Sequence, residues 1–224
     1  MNKRVRTFIN VILIALLSIS SWELAKKQWN YYKDKQKYKL VQEEKDCFDN
    51  MQTYLSDKNF DWINITNTSI DYPVVQYTDN EYYVSHDYEG NSSIGGAIYY
   101  DAFDEPFNGR ITTIFGHSMK NGTMFNNLHF FQKDHNRFET SMLKIDTKEG
   151  TKTYKPLGYY VTDDNKFYKK LDNSSIEETI ISIEANCDYF IKSVNYSEDS
   201  HVLVLFTCDY SIDDGRLVVF YISE

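Results

Sequence analysis

Val202-Leu203-Val204-Leu205-Phe206-Thr207 is an unbroken apolar run that stops at Cys208, and after a short polar loop Arg216 opens a second run, Leu217-Val218-Val219-Phe220-Tyr221. Both are rich in β-branched and aromatic residues and are short enough for strands, and Asp213-Asp214-Gly215 between them is turn chemistry. A third run, Ile111-Thr112-Thr113-Ile114-Phe115, ends at Gly116-His117. A thiol, an imidazole and a guanidinium therefore each sit at the end of a β-like run, where a rigid scaffold presents chemistry to solvent. A cysteine becomes a nucleophile when a base or a positive charge favours its thiolate. This arrangement supplies both, and it reads as a cysteine enzyme.

Working outward, strands are expected near Trp62–Ile65, Tyr72–Tyr77, Gly96–Tyr100, Ile111–Phe115, Met142–Ile145, Lys152–Val161, Val202–Thr207 and Leu217–Ile222. Many short strands separated by polar turns suggest a closed or nearly closed β-barrel. Two helices interrupt it. Thr123–Phe131 reads as a short one after the His117 loop. Ser174–Phe190 reads as a longer one, with a capping box from Ser174 and Glu177 or Ser175 and Glu178 and an apolar stripe of Ile176, Ile180, Ile183 and Cys187. From Glu23 to about Lys58 the chain is helical in character. Leu40, Cys47, Phe48, Met51 and Leu55 form its apolar stripe.

Cys47 and Cys187 thus have packing explanations, as small buried hydrophobes. Cys208 has none beyond closing a strand. Among the histidines, His86, His129, His135 and His201 lie in polar or helical surroundings and read as surface or loop residues. His117 differs, because it follows a β-like run and a glycine that would let the backbone turn sharply. Arg216 reads either as a solvated charge after a turn or as a donor to a developing oxyanion beside the thiol.

Composition sets the wider frame. The chain has 224 residues, 42% hydrophobic and 16% aromatic, with 9 Gly and 3 Pro, which suits one globular domain with a real core. The formal net charge is −9, and Lys3, Arg4, Arg6 and Glu23 give the first 25 residues +2, leaving −11 on the remainder. Such an acidic domain argues against nucleic-acid binding. Three cysteines cannot all pair, so a disulfide scaffold is excluded, and no Cys-x-x-Cys or His-x-x-x-His spacing supports structural zinc. No metal or organic cofactor is expected. At the N-terminus, Lys3, Arg4 and Arg6 precede an apolar stretch from Phe8 to Trp22, and Lys26 and Lys27 follow it. That pattern reads as a secretory signal or a signal anchor, and the absence of a clear Ala-x-Ala favours an uncleaved anchor with a cytoplasmic tip and the domain outside.

Gly116-His117 with Met119-Lys120-Asn121-Gly122-Thr123-Met124-Phe125, then Thr207-Cys208, then Gly215-Arg216-Leu217-Val218-Val219, resemble sortases in kind and in order. The resemblance covers about residues 60–224. It implies an eight-stranded β-barrel in a membrane-anchored transpeptidase of Gram-positive bacteria. It also implies Cys208 as nucleophile, His117 as acid/base and Arg216 as oxyanion and substrate stabiliser. Such enzymes cut a C-terminal sorting motif of surface proteins after Thr, form a thioacyl enzyme, and pass the acyl group to a peptidoglycan amine. The helical extension before the barrel and the long segment between the strands near Val161 and Val202 resemble class B. Asp104-Glu105-Pro106-Phe107 is not the Asp-Pro-aromatic lid motif of class C. The family usually reads Thr-Leu-x-Thr-Cys where this chain has Val204-Leu205-Phe206-Thr207-Cys208, so Phe206 occupies the variable position.

The expected organisation is a cytoplasmic tip and membrane anchor over 1–25, a helical extension over 26–58 and a catalytic barrel over 59–224. The helix of residues 174–190 is inserted before the cysteine-bearing strand. Two rival readings use the same residues: a cysteine peptidase that only hydrolyses its peptide, and a non-catalytic, wall-associated β-barrel binding module.

Overall fold

The computed structural model describes residues 3–163, 171 and 174–223, so residues 1–2, 164–170, 172–173 and 224 of the expected segments lie outside the described residues. It begins with one continuous helix, α1 (Lys3–Asp46), followed by α2 (Met51–Leu55), whose N-cap Asn50 accepts from Thr53 N. Then come β1 (Asp61–Ile65), β2 (Asp71–Val75), β3 (Ile98–Tyr100), β4 (Ile111–Phe115), α3 (His129–Lys133), α4 (His135–Glu139), β5 (Leu143–Asp146) and β6 (Thr151–Thr162). The chain ends with α5 (Ile176–Glu184), β7 (Tyr189–Phe190), β8 (Val202–Cys208) and β9 (Arg216–Ile222).

The strands form one sheet in the order β5-β1-β2-β3-β4-β8-β9-β6-β7, and a further β5–β6 pairing closes eight of them into a barrel. β7 lies outside that closure, laid against the far part of β6 at Tyr159↔Tyr189. Two neighbouring pairs, β2–β3 and β4–β8, are parallel.

The continuous apolar runs of β8 and β9 follow from burial on both faces. Leu203, Leu205, Leu217, Val219 and Tyr221 point into the barrel core with Trp62, Phe125 and Phe138. Their alternates Val202, Val204, Phe206, Val218, Phe220 and Ile222 pack outward against Ile176, Ile180 and Ile183 of α5. Burial of each such side chain contributes about 1.5–3 kcal/mol. The helix starts where the sequence placed it: Ser175 caps Glu178 N at 3.1 Å. It stops at Glu184 instead of continuing to Phe190, because Tyr189 and Phe190 are taken by the β6 ladder. Cys187 packs beside them against the outer cluster.

Other boundaries move for local reasons. β2 ends at Val75, not Tyr77, because the Gln76 side chain leaves the ladder to donate to Asp101 O and Asp104 O. The expected helix at 123–131 is a 3-10 turn over Phe125–Leu128 that runs into α3. The stripe on the N-terminal helix is rotated from the expected one. Tyr38 and Val41 are buried against the barrel, while Leu40, Cys47 and Phe48 are exposed. Cys47 lies past the end of α1, with its Sγ on Glu43 O at 3.3 Å, so it is not a core residue.

The first half of α1 is long and apolar enough to cross a membrane, and its apolar side chains from Val5 to Leu24 are exposed. The second half is bound to the barrel. Gln42 donates to Asp71 O at 2.6 Å, Lys45 pairs with Asp71 at 2.7 Å, and Lys37 pairs with Asp87.

At the start of β8, away from Cys208, His201 is held between the Thr112 hydroxyl at 3.0 Å and the Tyr154 hydroxyl at 3.3 Å. Burial, helped by Lys152, lowers its pKa from 6.5 to about 4. The native state keeps this imidazole neutral, while the unfolded chain binds a proton as pH falls through 6.5. Its contribution to stability is therefore present above that pH and lost progressively down to about 4. The loss is on the order of 3 kcal/mol. In urea unfolding at a series of pH values, His201→Gln is expected to show a shallower fall than the parent across that window. Parallel curves for the two proteins would remove His201 as a source of acid lability.

Candidate active site

Three strand ends meet at one end of the barrel. β4 and β8 run parallel with Phe115 opposite Phe206, and β8 pairs antiparallel with β9 so that Cys208 faces Arg216 across the ladder. Beyond Phe115, Gly116 N still donates to Phe206 O at 3.2 Å, and Thr207 Oγ1 donates to Gly116 O at 2.7 Å. The next residue on each chain is His117 or Cys208. All three residues singled out from the sequence line one cavity of about 280 Å³, together with Val84, Tyr99, Phe115, Gly116, Phe206 and Thr207. The lining is largely apolar: Tyr99 packs on Phe115, which packs edge-on against Phe206, at 5.5 Å in each case. Phe206, at the variable position of the motif, is therefore part of the cavity wall.

Gly116 is needed for space, not for a left-handed turn as its place before His117 suggests. A Cβ there would lie 2.7 Å from the Phe125 ring, which is fully buried in the core. A second glycine, Gly96, does need its conformation: φ is +59°, and a Cβ would fall 2.5 Å from Tyr83 O and 3.1 Å from His117 Cδ2. The loop before β3 can thus run against the imidazole edge. His117 Nε2 lies 2.8 Å from Val84 O. A carbonyl only accepts, so Nε2 carries a hydrogen and Nδ1 is the nitrogen left for proton exchange. Nothing in the sequence pointed to Val84, because a main-chain carbonyl has no side-chain signature.

The N-terminal helix reaches this wall. Tyr38 Oη donates to Gly96 O at 2.7 Å, and Asp34 accepts from Ser93 Oγ at 2.9 Å and Gly95 N at 3.1 Å. Burial raises the Tyr38 pKa well above the usual phenol value, so it stays a donor at any physiological pH.

Arg216 is half-buried at the cavity rim. Its Nη1 donates to Asp214 O and Gly215 O, both at 2.9 Å, so its own turn holds the guanidinium. The residue after the thiol, Asp209, is buried and points away from the cavity. It accepts from Ser211 N at 2.7 Å and from the Ser211 hydroxyl, and from Gln132 Nε2 at 3.3 Å. Burial opposes its charge, but these donors, Ser211 foremost, hold its carboxyl below the usual carboxylate range. His86 stacks on Tyr82 and His135 on Tyr189, and neither lines the cavity. Among the described residues no three His, Cys, Asp or Glu side chains converge as a metal-binding group.

A thiol, a tautomer-fixed imidazole and a guanidinium around an apolar-walled cleft can perform acyl transfer through a thioester. Comparison with known proteins gives the same direction. The Sortase domain family matches residues 63–221. Sortase B of Listeria monocytogenes is 29% identical over 167 residues, covering 70% of this chain and 66% of that protein. Sortase B of Staphylococcus aureus is 24% identical over 234 residues, covering 97% and 96%. Among solved structures, sortase B from Bacillus anthracis in complex with AAEK2 superposes with a TM-score of 0.72 at 25% identity, covering 87% of this chain and 97% of that one.

Proposed function

Since the chain belongs to the sortase family and the relatives named above are sortase B proteins, we propose that it is an extracytoplasmic cysteine transpeptidase of the class B kind. The observation that carries this reading is the meeting of His117, Cys208 and Arg216 around one cavity at three adjoining strand ends.

In this reading the Cys208 thiolate attacks the carbonyl of the Thr in a sorting motif near the C-terminus of a surface protein. Arg216 donates to the oxyanion that forms. His117, bonded through Nε2 to Val84 O, gives a proton from Nδ1 to the departing amine, and the acyl group stays on sulfur as a thioester. An amine of peptidoglycan or its precursor then attacks the thioester, and Nδ1 takes the proton that this amine loses. The apolar part of α1 anchors the protein in the membrane with its basic tip in the cytoplasm and the barrel on the extracellular face. Residues 1–25 are then anchor, 26–58 helical extension and 59–224 catalytic barrel.

The test uses a sorting-motif peptide with and without an amine acceptor, followed by mass analysis. A thioacyl adduct on Cys208 and an amine-joined product support transpeptidation. Hydrolysed peptide alone, with acceptor present, supports a simple cysteine peptidase.

The contacts of α1 add a second expected result. A protein beginning at Lys26 keeps Asp34 and Tyr38 on the loop beside His117, so it should be soluble and cleave peptide at the full-length rate. One beginning at Asn59 loses those contacts and should be slower by about 10-fold or more, as small misplacements of a catalytic group usually are. Equal rates for the two truncations would show that the helix does not position the site.

A further inference from the structure

Ser118 follows His117 and Asp209 follows Cys208, and His129 lies between them. His129 Nε2 is 3.0 Å from Ser118 Oγ, and its Nδ1 is 3.4 Å from Asp209 Oδ2 and 3.1 Å from Gln132 Oε1. A carboxylate and an amide oxygen accept only, so Nδ1 carries the hydrogen. In a neutral ring Nε2 then accepts from the Ser118 hydroxyl, whose oxygen receives Asn126 Nδ2 at 3.2 Å. Gln132 Nε2 completes the circuit on Asp209 at 3.3 Å.

The same three residue types make up a hydrolytic triad, but here the Nδ1 hydrogen bond goes to Gln132, and Asp209 lies at 3.4 Å. Exposure argues against that use, since Ser118 is only 4% exposed and Asp209 only 5%. A substrate carbonyl has no path to the hydroxyl. Position suggests a different task. On the near side of the reacting pair, Thr207 Oγ1 bonds Gly116 O directly. On the far side, Asp209 reaches Ser118 through Gln132 and His129, and the Tyr210 hydroxyl lies 3.5 Å from Ser118 O. Thiol and imidazole are thus tied to each other's chain both before and after the reacting residues.

We propose that Ser118, His129 and Asp209 are positioning residues, a buried bracket joining the His117 loop to the Cys208 loop and fixing the spacing of the two reacting groups. The proposal rests on the reading of Cys208 and His117 given above. It assigns Asp209 a structural link to His129 and no contact with His117.

The test compares Ser118→Ala, Asp209→Asn and the double variant in the full-length protein. Each single variant is expected to lower kcat about 10–100-fold with KM within about twofold, because a distortion of this size affects the reacting geometry and not peptide binding. The double variant should be no slower than the slower single, since both break one chain of bonds. Amide hydrogen exchange at Gly116 and Asp209 should accelerate in each variant, while the β8–β9 ladder stays protected. Ser118→Ala removes one oxygen and serves should Asp209→Asn fail to fold. Unchanged kcat with unchanged exchange, or rate losses that multiply in the double variant, would overturn the bracket. So would labelling of Ser118 by a fluorophosphonate, which would make it a second nucleophile. The exchange measurement needs no turnover, so it decides the bracket even if an active Cys208→Ala variant were to overturn the proposed function.

Discussion

Replacing Cys208 by alanine is expected to lower peptide cleavage by about 10⁴-fold or more, the scale on which removing a covalent nucleophile acts. No acyl adduct should be detected by mass analysis. The loss can be assigned to chemistry because the fold does not lean on this sulfur. Cys208 is only half-buried at the end of β8, and its neighbours are held by other bonds: Thr207 Oγ1 on Gly116 O at 2.7 Å and Asp209 N on Gly215 O at 2.8 Å. The other two thiols provide the contrast. Cys47 is exposed, and Cys47→Ala should change stability by no more than about 0.5 kcal/mol and leave the rate alone. Burial, with Asp188 and Glu184 nearby, pushes the Cys187 thiol up to about 12, so it offers no thiolate at neutral pH. Cys187→Ala should cost about 1–2 kcal/mol as a small cavity while turnover persists. Cleavage at the parent rate by Cys208→Ala would refute the covalent route outright.

Arg216→Ala is expected to lose about 10²–10³ in turnover, the usual cost of one oxyanion donor. Backbone pairing of β8 with β9 at Cys208↔Arg216 does not use the side chain, so the strand should survive. Arg216→Lys is the informative companion. The guanidinium can bond Asp214 O and Gly215 O through one nitrogen while its remaining donors serve the cavity. A lysine ammonium has a single nitrogen and must divide itself between the turn and the substrate, so only part of the rate should return. Full recovery with lysine would mean that charge alone suffices. A near-normal rate with alanine would leave a cysteine–histidine pair and make Arg216 a surface residue.

The barrel was legible because its signal is local. A run buried on both faces, such as Val202–Thr207, stays apolar throughout, and each expected strand overlaps an observed one. Ends were less legible: the Gln76 side chain bonds Asp101 O in a distant loop, and Gly96 adopts φ +59° two residues before β3 begins. β7 was missed: two residues carry no period, and Tyr189 and Phe190 equally suit a helix end. On the N-terminal helix the buried face turned on Tyr38 and Val41, and Tyr38 is placed by a bond to Gly96 that no spacing encodes. Among the site residues, those that end an apolar run could be picked out, and they lie on one cavity. Val84 and His129 could not. One acts through a main-chain oxygen, and the other sits in a polar helix where a surface role was the default.

The parallel pairing of β4 with β8 also constrains how the protein comes into being. Adjacent strands this far apart along the chain must close a very large loop before they gain contacts, which makes their docking late and slow. A chain made from its N-terminus has β4 with its imidazole well before β8 with its thiol. The intervening strands and α5 can order around the gap that β8 will fill. The three side chains therefore share one cavity only once β4, β8 and β9 are all docked.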